Sequence, residues 1–455
     1  MGKGFSTCST AHPADSHGGR GDAELSGTSP AERFLGLDAL TIFIDIEAGG
    51  PGFFADESGW FASTKDLEAT CLDLCVACRG HRSTRHVRVT SKTPRHLGIL
   101  GEPEASRKKR ETASRVPTLK VCRVTFAGGF NPRLDRAVWP ETLTEIDLGG
   151  YFRRSVDKAV WPESLQKLKF GQYYNRPIDR TVFPRSLREL RLGYYFNHPI
   201  GKVTWPASLE RLAFGVHFDQ PIFHVVWPAT LKEITFGLAF NFSIDWVAWP
   251  PLLERISFGE RFHRPVHQVA WPGSLLEMTF GQNFPHGIDL VAWPASLQKL
   301  TLGNAFDQPI DGVLWPASLR EITFGDAFNQ RVAGVAWPTA LEELTFCAGF
   351  TQPIDGVNWP PLLRRLTIHV KLCLPPSYGA QLPESLEHLT VGWVSSGDEI
   401  RHTVWPSSLR ELVLMRPCSA TAEDALRAND GLPASLKFIT LNGVRERLGP
   451  DRTTD

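Results

Sequence analysis

The chain has 455 residues, of which 42% are hydrophobic, and its basic and acidic side chains are equal in number, at 49 each. A net charge of zero argues against the broad positive field that draws proteins to nucleic acid or acidic lipid, so we expect no nucleic-acid partner. No stretch reaches the roughly 20 uncharged apolar residues of a membrane span. The eight cysteines are scattered. We therefore expect a cytoplasmic protein with reduced thiols and no transmembrane segment.

The first 30 residues predict a disordered tail, because they are rich in glycine, serine, histidine and aspartate. The opening letters MGKGFS fit the pattern for N-myristoylation at Gly2, and Cys8 lies where a second acyl chain could be added. One myristoyl group anchors a protein only marginally, so stable membrane association would require Cys8 as well. Acyl anchoring and a chance match to a short pattern both stay open.

Residues 31–95 predict a small helical region. FLGLDALTIFIDI has helix-compatible apolar spacing from Asp38 to Ile46, and a second amphipathic stretch covers residues 65–79. The pair resembles the two halves of an F-box, although it carries an insertion and lacks the leading Leu-Pro and the tryptophan of the second half. The resemblance implies docking to a Skp-type adaptor. The predicted docking face consists of Leu37, Leu40, Ile42, Phe43, Leu67 and Leu74.

The second stretch also contains residue types that bind zinc. Cys75 and Cys78 form a CxxC pair, and His81 and His86 follow it. Only two residues separate Cys78 from His81, which is shorter than the usual finger loop, so we expect cysteines on a buried helical face and no metal or other cofactor. Residues 96–116 form a basic polar linker whose cluster at 107–110 fits either a solvated segment or a nuclear import signal.

Most of the remaining chain is a tandem repeat. With the tryptophan counted as position 1, the consensus is WPxSLxxLxFGxxFNxPIxxVx, and the spacing loosens only after residue 359. We count about 14 coils of 22 residues, assign residues 117–445 to them and predict a disordered tail at 446–455. The repeated tryptophan, or phenylalanine at 183, stands at 139, 161, 183, 205, 227, 249, 271, 293, 315, 337 and 359.

The repeat predicts a solenoid. LxxLxF places apolar residues as in the strand of a leucine-rich repeat, and the glycine and prolines of each unit leave little room for a stable helix. One unit cannot bury its own apolar side chains, but stacked copies cover each other. We therefore predict a mainly β, leucine-rich-repeat-like stack. Glycine at position 11 should provide a sharp turn at an unusual backbone angle, and asparagine at position 15 should bond turn backbone.

The phrase FDQPI at residues 306–310, together with its WPxSL partner, resembles the FNIP repeat, a relative of the leucine-rich repeat. The resemblance covers residues 121–445 and rests on many tandem copies. It implies a protein-interaction solenoid, often attached to an F-box, and brings no catalytic residues with it. Substitutions of the position-15 asparagine, such as Arg153, His263 and Pro285, depart from the pattern.

Positions 6, 7 and 9 should face outward from the strands. Position 9 is mostly threonine from residue 235 onward, which fits ordinary strand filling or a hydroxyl-lined binding stripe. Residues 131–220 are mildly basic, and we expect a protein partner there. The candidate contact residues are Lys167, Lys169, Arg188, Arg191 and Arg211.

No catalytic triad, phosphate loop or carboxylate pair can be recognised in the sequence, so we expect no enzyme. The repeats predict a non-enzymatic scaffold that binds a protein on the solenoid surface. The alternative is an F-box-type substrate receptor of a cullin-based ubiquitin ligase, with the adaptor on residues 35–90 and the target on the coils.

Overall fold

The computed structural model describes residues 41–43, 85–89, 121–126 and 131–448, the last range with gaps at 132, 136, 138, 140, 372–381, 394–396, 416–418, 429–430 and 442. Nearly all regular structure is strand. The strands are β1 (Thr41–Phe43), β2 (Arg85–Val89), β3 (Val121–Phe126), β4 (Glu145–Asp147), β5 (Lys167–Lys169), β6 (Glu189–Arg191), β7 (Arg211–Ala213), β8 (Glu233–Thr235), β9 (Arg255–Ser257), β10 (Glu277–Thr279), β11 (Lys299–Thr301), β12 (Glu321–Thr323), β13 (Glu343–Phe346), β14 (Arg365–Lys371), β15 (His388–Trp393), β16 (Glu411–Leu414), β17 (Phe438–Leu441) and β18 (Val444–Arg447).

The strands β1 to β17 pair in parallel and in chain order, and β18 closes the sheet as an antiparallel partner of β17. From β3 to β14 the register advances by one repeat at each step, so Arg123 lies opposite Glu145 and Glu343 lies opposite Arg365. The predicted mainly β, leucine-rich-repeat-like solenoid is therefore confirmed, with about 12 turns of 22 residues and longer intervals after them.

Each coil has three sides that meet at three turns. In the coil that begins at Trp205, the turns are closed by backbone hydrogen bonds from Leu209 to Pro206, Phe218 to Gly215 and Val225 to Ile222, at 3.1, 3.2 and 3.1 Å. We call positions 5–11 the strand side, positions 14–18 the Asn side, and positions 20 through 3 of the next unit the Trp side. The three sides repeat along the stack, so equivalent residues form columns.

The core lies inside the coils and runs through the stack. The position-14 rings, such as Phe218, Phe240 and Phe262, are fully buried and stack at 6.1 Å between centroids with nearly parallel planes. Burying one such side chain contributes up to about 3 kcal/mol. Because each ring packs on the rings of both neighbouring coils, the core is continuous and no coil is stable alone.

The glycine column at position 11 has a role different from the predicted one. Only Gly149 of this column has a positive φ, at 72°. At Gly215 and Gly237, an added Cβ would lie 1.7 and 1.8 Å from the carbonyl oxygen of the glycine in the preceding coil. The predicted turn angle is therefore wrong for most of the column. Glycine is required because successive backbones approach too closely to admit a side chain.

The asparagine column at position 15 bonds turn backbone as predicted, and the bond crosses between coils. The side-chain oxygen of Asn175 accepts the backbone N–H of Asn197 at 3.1 Å, and that of Asn197 accepts the N–H of Asp219 at 3.0 Å. Asp307 and Asn329 repeat the arrangement at 2.9 Å. Where position 15 is asparagine or aspartate, the column thus ties the Asn side of one coil to the next.

The prediction of a helix over Asp38 to Ile46 is wrong at its centre, because residues 41–43 form the strand β1, which pairs with β2. The β-branched pair Thr41 and Ile42 and the aromatic Phe43 favour a strand, and the open edge beyond β3 offers unpaired backbone groups. The rest of the first predicted helix, the second helix and the other candidates of this region lie outside the described residues: Gly2, Cys8, Leu37, Leu40, Leu67, Leu74, Cys75, Cys78, His81 and His86.

Two short helices, α1 (Gly397–His402) and α2 (Ala420–Arg427), interrupt the last coils. Ser419 caps α2 by accepting the N–H of Ala422. Arg445 of β18 covers the ring of Phe438 at 4.0 Å, so the final parallel strand is shielded by an antiparallel one. Neither helix has the length or apolar character to cross a membrane, and the same holds wherever the chain is described.

Candidate interaction surface

The strand side carries charges that alternate in sign along the stack. At position 7, basic and acidic residues lie opposite each other in nine successive strand pairings, and the first like-charge pairing is Glu321 opposite Glu343. The column from β3 onward is Arg123, Glu145, Lys167, Glu189, Arg211, Glu233, Arg255, Glu277, Lys299 and Glu321.

Many neighbours in this column form ion pairs. Lys167 lies 3.5 Å from Glu145, and Arg211 lies 3.4 Å from Glu189. Position 6 adds a second column, in which Arg188 pairs with Glu210. Because the basic partner of each pair is about half exposed to solvent, each pair contributes only about 0–1 kcal/mol. Their main effect is to cancel charge locally and hold the side chains in place.

Glu145 shows the balance of forces in the position-7 column of charges. Partial burial would raise the pKa of its carboxyl, but the hydrogen bond and charge of Arg123, with a smaller contribution from Lys167, hold the pKa below its usual value. The same contact raises the pKa of the Arg123 guanidinium. The carboxylate is thus fixed in its ionised form at neutral pH.

The basic residues predicted as a partner surface lie close together, but none is a free cation. Lys167, Lys169 and Arg191 line one concavity of about 310 Å³ on the strand side of the first coils. Lys169 pairs with Asp147 at 2.9 Å, and Arg191 pairs with Glu189 at 2.7 Å. This set, with Arg188 and Arg211, forms a surface of fixed ion pairs, which we call the ion-pair mosaic.

A column of aromatic rings, three exposed and one half-buried, borders the mosaic. At position 13, Tyr151 and Tyr173 have centroids 5.2 Å apart, Tyr173 and Tyr195 are 5.5 Å apart, and Tyr195 stacks on His217 at 4.9 Å. Tyr151 keeps 52% of its surface exposed. Arg153 lies over the Tyr173 ring at 4.8 Å. We call Tyr151, Tyr173, Tyr195 and His217 the tyrosine ladder.

The ladder is continuous with the mosaic in two successive coils. Tyr173 follows Lys169 by four residues, and Tyr195 follows Arg191 by the same interval, across the turn that ends the strand side. The prediction of contact residues missed these rings, although composition carries a signal: five of the six tyrosines lie between residues 151 and 195. Tyrosine and arginine are the residue types that are enriched at protein interfaces.

The middle coils differ at the same columns. Position 9 is occupied by half-buried hydroxyl residues from Thr235 onward, as expected for strand filling, and position 13 is alanine at 239, 305 and 327. No group of three histidine, cysteine, aspartate or glutamate side chains in the described ranges is arranged to hold a metal ion.

The fold and this surface place the chain in the class of leucine-rich-repeat-like solenoids. The model of the FNIP Repeat family matches residues 152–195 and 196–239, and each match spans two coils. The resemblance inferred from the sequence is thereby confirmed for these coils: residues 152–239 carry FNIP repeats.

Solved structures include a similar solenoid. A protein described as CroV588, with a novel circular LRR structure, is 32% identical to the chain with a TM-score of 0.60, over 73% of this chain and 48% of that one. The chain thus spans about half the length of that relative. The Toll–Spatzle complex of Drosophila is 12% identical with a TM-score of 0.40, over 79% of this chain and 43% of the other. No curated protein matches the sequence.

Proposed function

We propose that the protein is a non-enzymatic interaction scaffold that binds a protein partner through the tyrosine ladder and the ion-pair mosaic of its N-terminal coils. The observation that carries this proposal is the ladder itself. Four rings lie against one another in consecutive coils beside Lys169 and Arg191, three of them exposed and Tyr173 half-buried. The leucine-rich-repeat-like fold supports the proposal because stacked coils offer an extended, rigid binding surface.

The arrangement suits binding because much of the ordering cost is met before the partner arrives. A tyrosine held between two neighbouring rings loses less side-chain freedom on binding than an isolated one. Its ring supplies apolar area and its hydroxyl a hydrogen bond, the combination that makes tyrosine a frequent hot spot. The fixed charges of the mosaic then select a partner with a matching charge pattern.

The F-box-type receptor requires a helix from Asp38 to Ile46, and the strand β1 lies within that segment.

The test compares three forms of the full chain in a native extract, with crosslinking and mass spectrometry. One is unchanged, one carries Tyr151→Ser and Tyr195→Ser, and the control carries Ala305→Ser and Ala327→Ser in the same column of the middle coils. A captured protein is then purified and titrated against each form. We expect the tyrosine variant to bind at least about 10-fold more weakly, because two hot spots are lost, and the control to bind normally.

Circular dichroism and thermal unfolding must first show that all three forms fold alike. If the tyrosine variant and the control bind the partner equally well, the ladder is not the binding surface. Absence of any protein that binds the unchanged chain as a purified pair would contradict the scaffold role itself.

A further inference from the structure

The Trp side of the middle coils is an exposed face without formal charge. Positions 20, 22 and 3 are exposed in each of six consecutive coils between residues 224 and 339, and none of them is lysine, arginine, aspartate or glutamate. The side chains include Val226, Trp246, Leu290 and Leu314, of which Trp246 is 83% and Leu314 82% exposed. We call this face the apolar stripe. Contiguous apolar surface of this kind marks an interaction site.

The same columns are charged or polar in the coils before it. Position 20 is Lys158, Arg180 and Lys202 in three successive coils, and all three are exposed. An acidic edge runs beside the stripe instead, because position 19 is Asp289 and Asp311 in two of its successive coils. One face of one chain therefore carries a basic end and an apolar end with acidic neighbours.

We infer that this face binds a second copy of the chain, with the two solenoids antiparallel and a two-fold axis across the coil of Trp246. Such an axis lies in the interface and brings each column opposite the same column of the second copy, in reversed coil order. Trp246 then meets its own counterpart. Asp245 beside it is turned toward Ser243, whose hydroxyl donates to the carboxylate at 2.7 Å.

This arrangement pairs complementary residues at equal distances from the axis. Two coils from the axis, Lys202 at position 20 of one copy lies one column from Asp289 at position 19 of the other, and three coils from the axis Arg180 lies in the same relation to Asp311. The long basic side chains span this one-column offset. In the position-22 column, the same three-coil step brings Val182, which is 78% exposed, opposite Leu314. In the described part of the chain, none of these four charged residues forms an ion pair with another side chain, so each is available to the second copy.

The size of the face suits a homodimer. Seven coils at roughly 4.8 Å each, by a side about 17 to 20 Å wide, give roughly 600 Å² from each copy. The sum of about 1,200 Å² lies at the lower limit of specific, stable interfaces. We therefore expect a dimer that dissociates on dilution and leaves the strand side of both copies open.

Sedimentation velocity of the full chain tests the inference, from about 1 µM to about 100 µM. The unchanged chain should shift from monomer to dimer within this range. Trp246→Glu should remain monomeric, because it brings two carboxylates together on the axis. Phe242→Glu, an exposed aromatic on the Asn side of the same coil, is the matched control and should dimerise normally.

A charge exchange tests the antiparallel register. Lys202→Glu and Asp289→Lys should each weaken the dimer about 10-fold, and the two together should restore it, because the pair is reversed across the interface. A chain that stays monomeric at every concentration overturns the inference, as does a dimer that Trp246→Glu leaves intact. Failure of the double variant to recover contradicts the register.

Discussion

The N-terminal coils at 131–220 and the middle coils at 221–346 share one framework but differ at its surface. Both have the glycine column and the position-14 ring stack, with Tyr174 in one coil in place of phenylalanine. The N-terminal coils add the tyrosine ladder and charges at position 9. The middle coils have hydroxyls at position 9 and no tyrosine at position 13, and they carry the apolar stripe on another side.

The comparison separates two kinds of column. Columns that touch the neighbouring coil are the same in both regions, because any change there is felt by three coils at once. Columns that face outward vary by region, and each region concentrates its unusual residues on a different side. The solenoid therefore offers two surfaces that can be altered independently.

Gly193→Ala and Gly237→Ala, one in each region, should have the largest effect. Each new methyl group would lie about 2 Å from the preceding glycine's carbonyl oxygen, at 2.3 and 1.8 Å, so the coils must separate. We expect a loss of more than about 4 kcal/mol, measured as the free energy of unfolding in urea. Gly273→Ala is the control, because nothing lies within 4 Å of its added Cβ. Equal stability of Gly237→Ala and Gly273→Ala would contradict the close-approach explanation.

Phe218→Ala and Phe328→Ala should each lower the free energy of unfolding by about 3–5 kcal/mol, since both rings are fully buried and leave cavities. The comparison predicts similar losses in the two regions. Phe242→Ala, whose side chain is exposed, should cost less than about 0.5 kcal/mol. A markedly smaller loss at Phe218 would indicate that the N-terminal core is looser than the middle one.

Asn197→Ala should cost about 1 kcal/mol, because the backbone N–H of Asp219 loses its acceptor. Asn329→Ala should cost a similar amount through Thr351, whose N–H it accepts at 2.8 Å. The control is Asn283→Ala, at an exposed position of another column. Hydrogen exchange should be faster at the position-15 amide of the following coil. Unchanged protection of that amide would argue against the inter-coil hydrogen bonds of position 15.

The smallest effect concerns Glu145. The pKa of its carboxyl is held below the usual value in the folded chain, so its stabilising contribution is present at neutral pH and is lost as the pH falls through the folded-state pKa. Because the pair with Arg123 remains open to solvent, the contribution stays under about 1 kcal/mol. Glu145→Gln should flatten the acid limb of stability against pH. An unchanged acid limb would show that the Arg123 contact has no net energy.

Much of the framework could be read from the repeat, because the Trp-Pro interval defines the coil and LxxLxF defines its inward side chains. The reason for glycine could not, since the clash at Gly237 involves the backbone of the preceding coil and is invisible in a single unit. The stacking of Tyr151, Tyr173 and Tyr195 likewise appears only once the register is known. The prediction of a helix at Thr41 was wrong because helical spacing over a few residues does not outweigh pairing at an open sheet edge.

The alternating charges of the strand side also set a rule for the length of the solenoid. Excising the single coil 227–248 would place Arg211 beside Arg255 and Glu210 beside Glu254, whereas excising two coils, 227–270, would place Arg211 beside Glu277. The geometric unit is therefore one coil, but the electrostatic unit is a pair of coils. A shortened or lengthened solenoid preserves its alternation of charge only when whole pairs of coils are removed or added. Each FNIP match, at 152–195 and 196–239, also spans two coils and so has the same period.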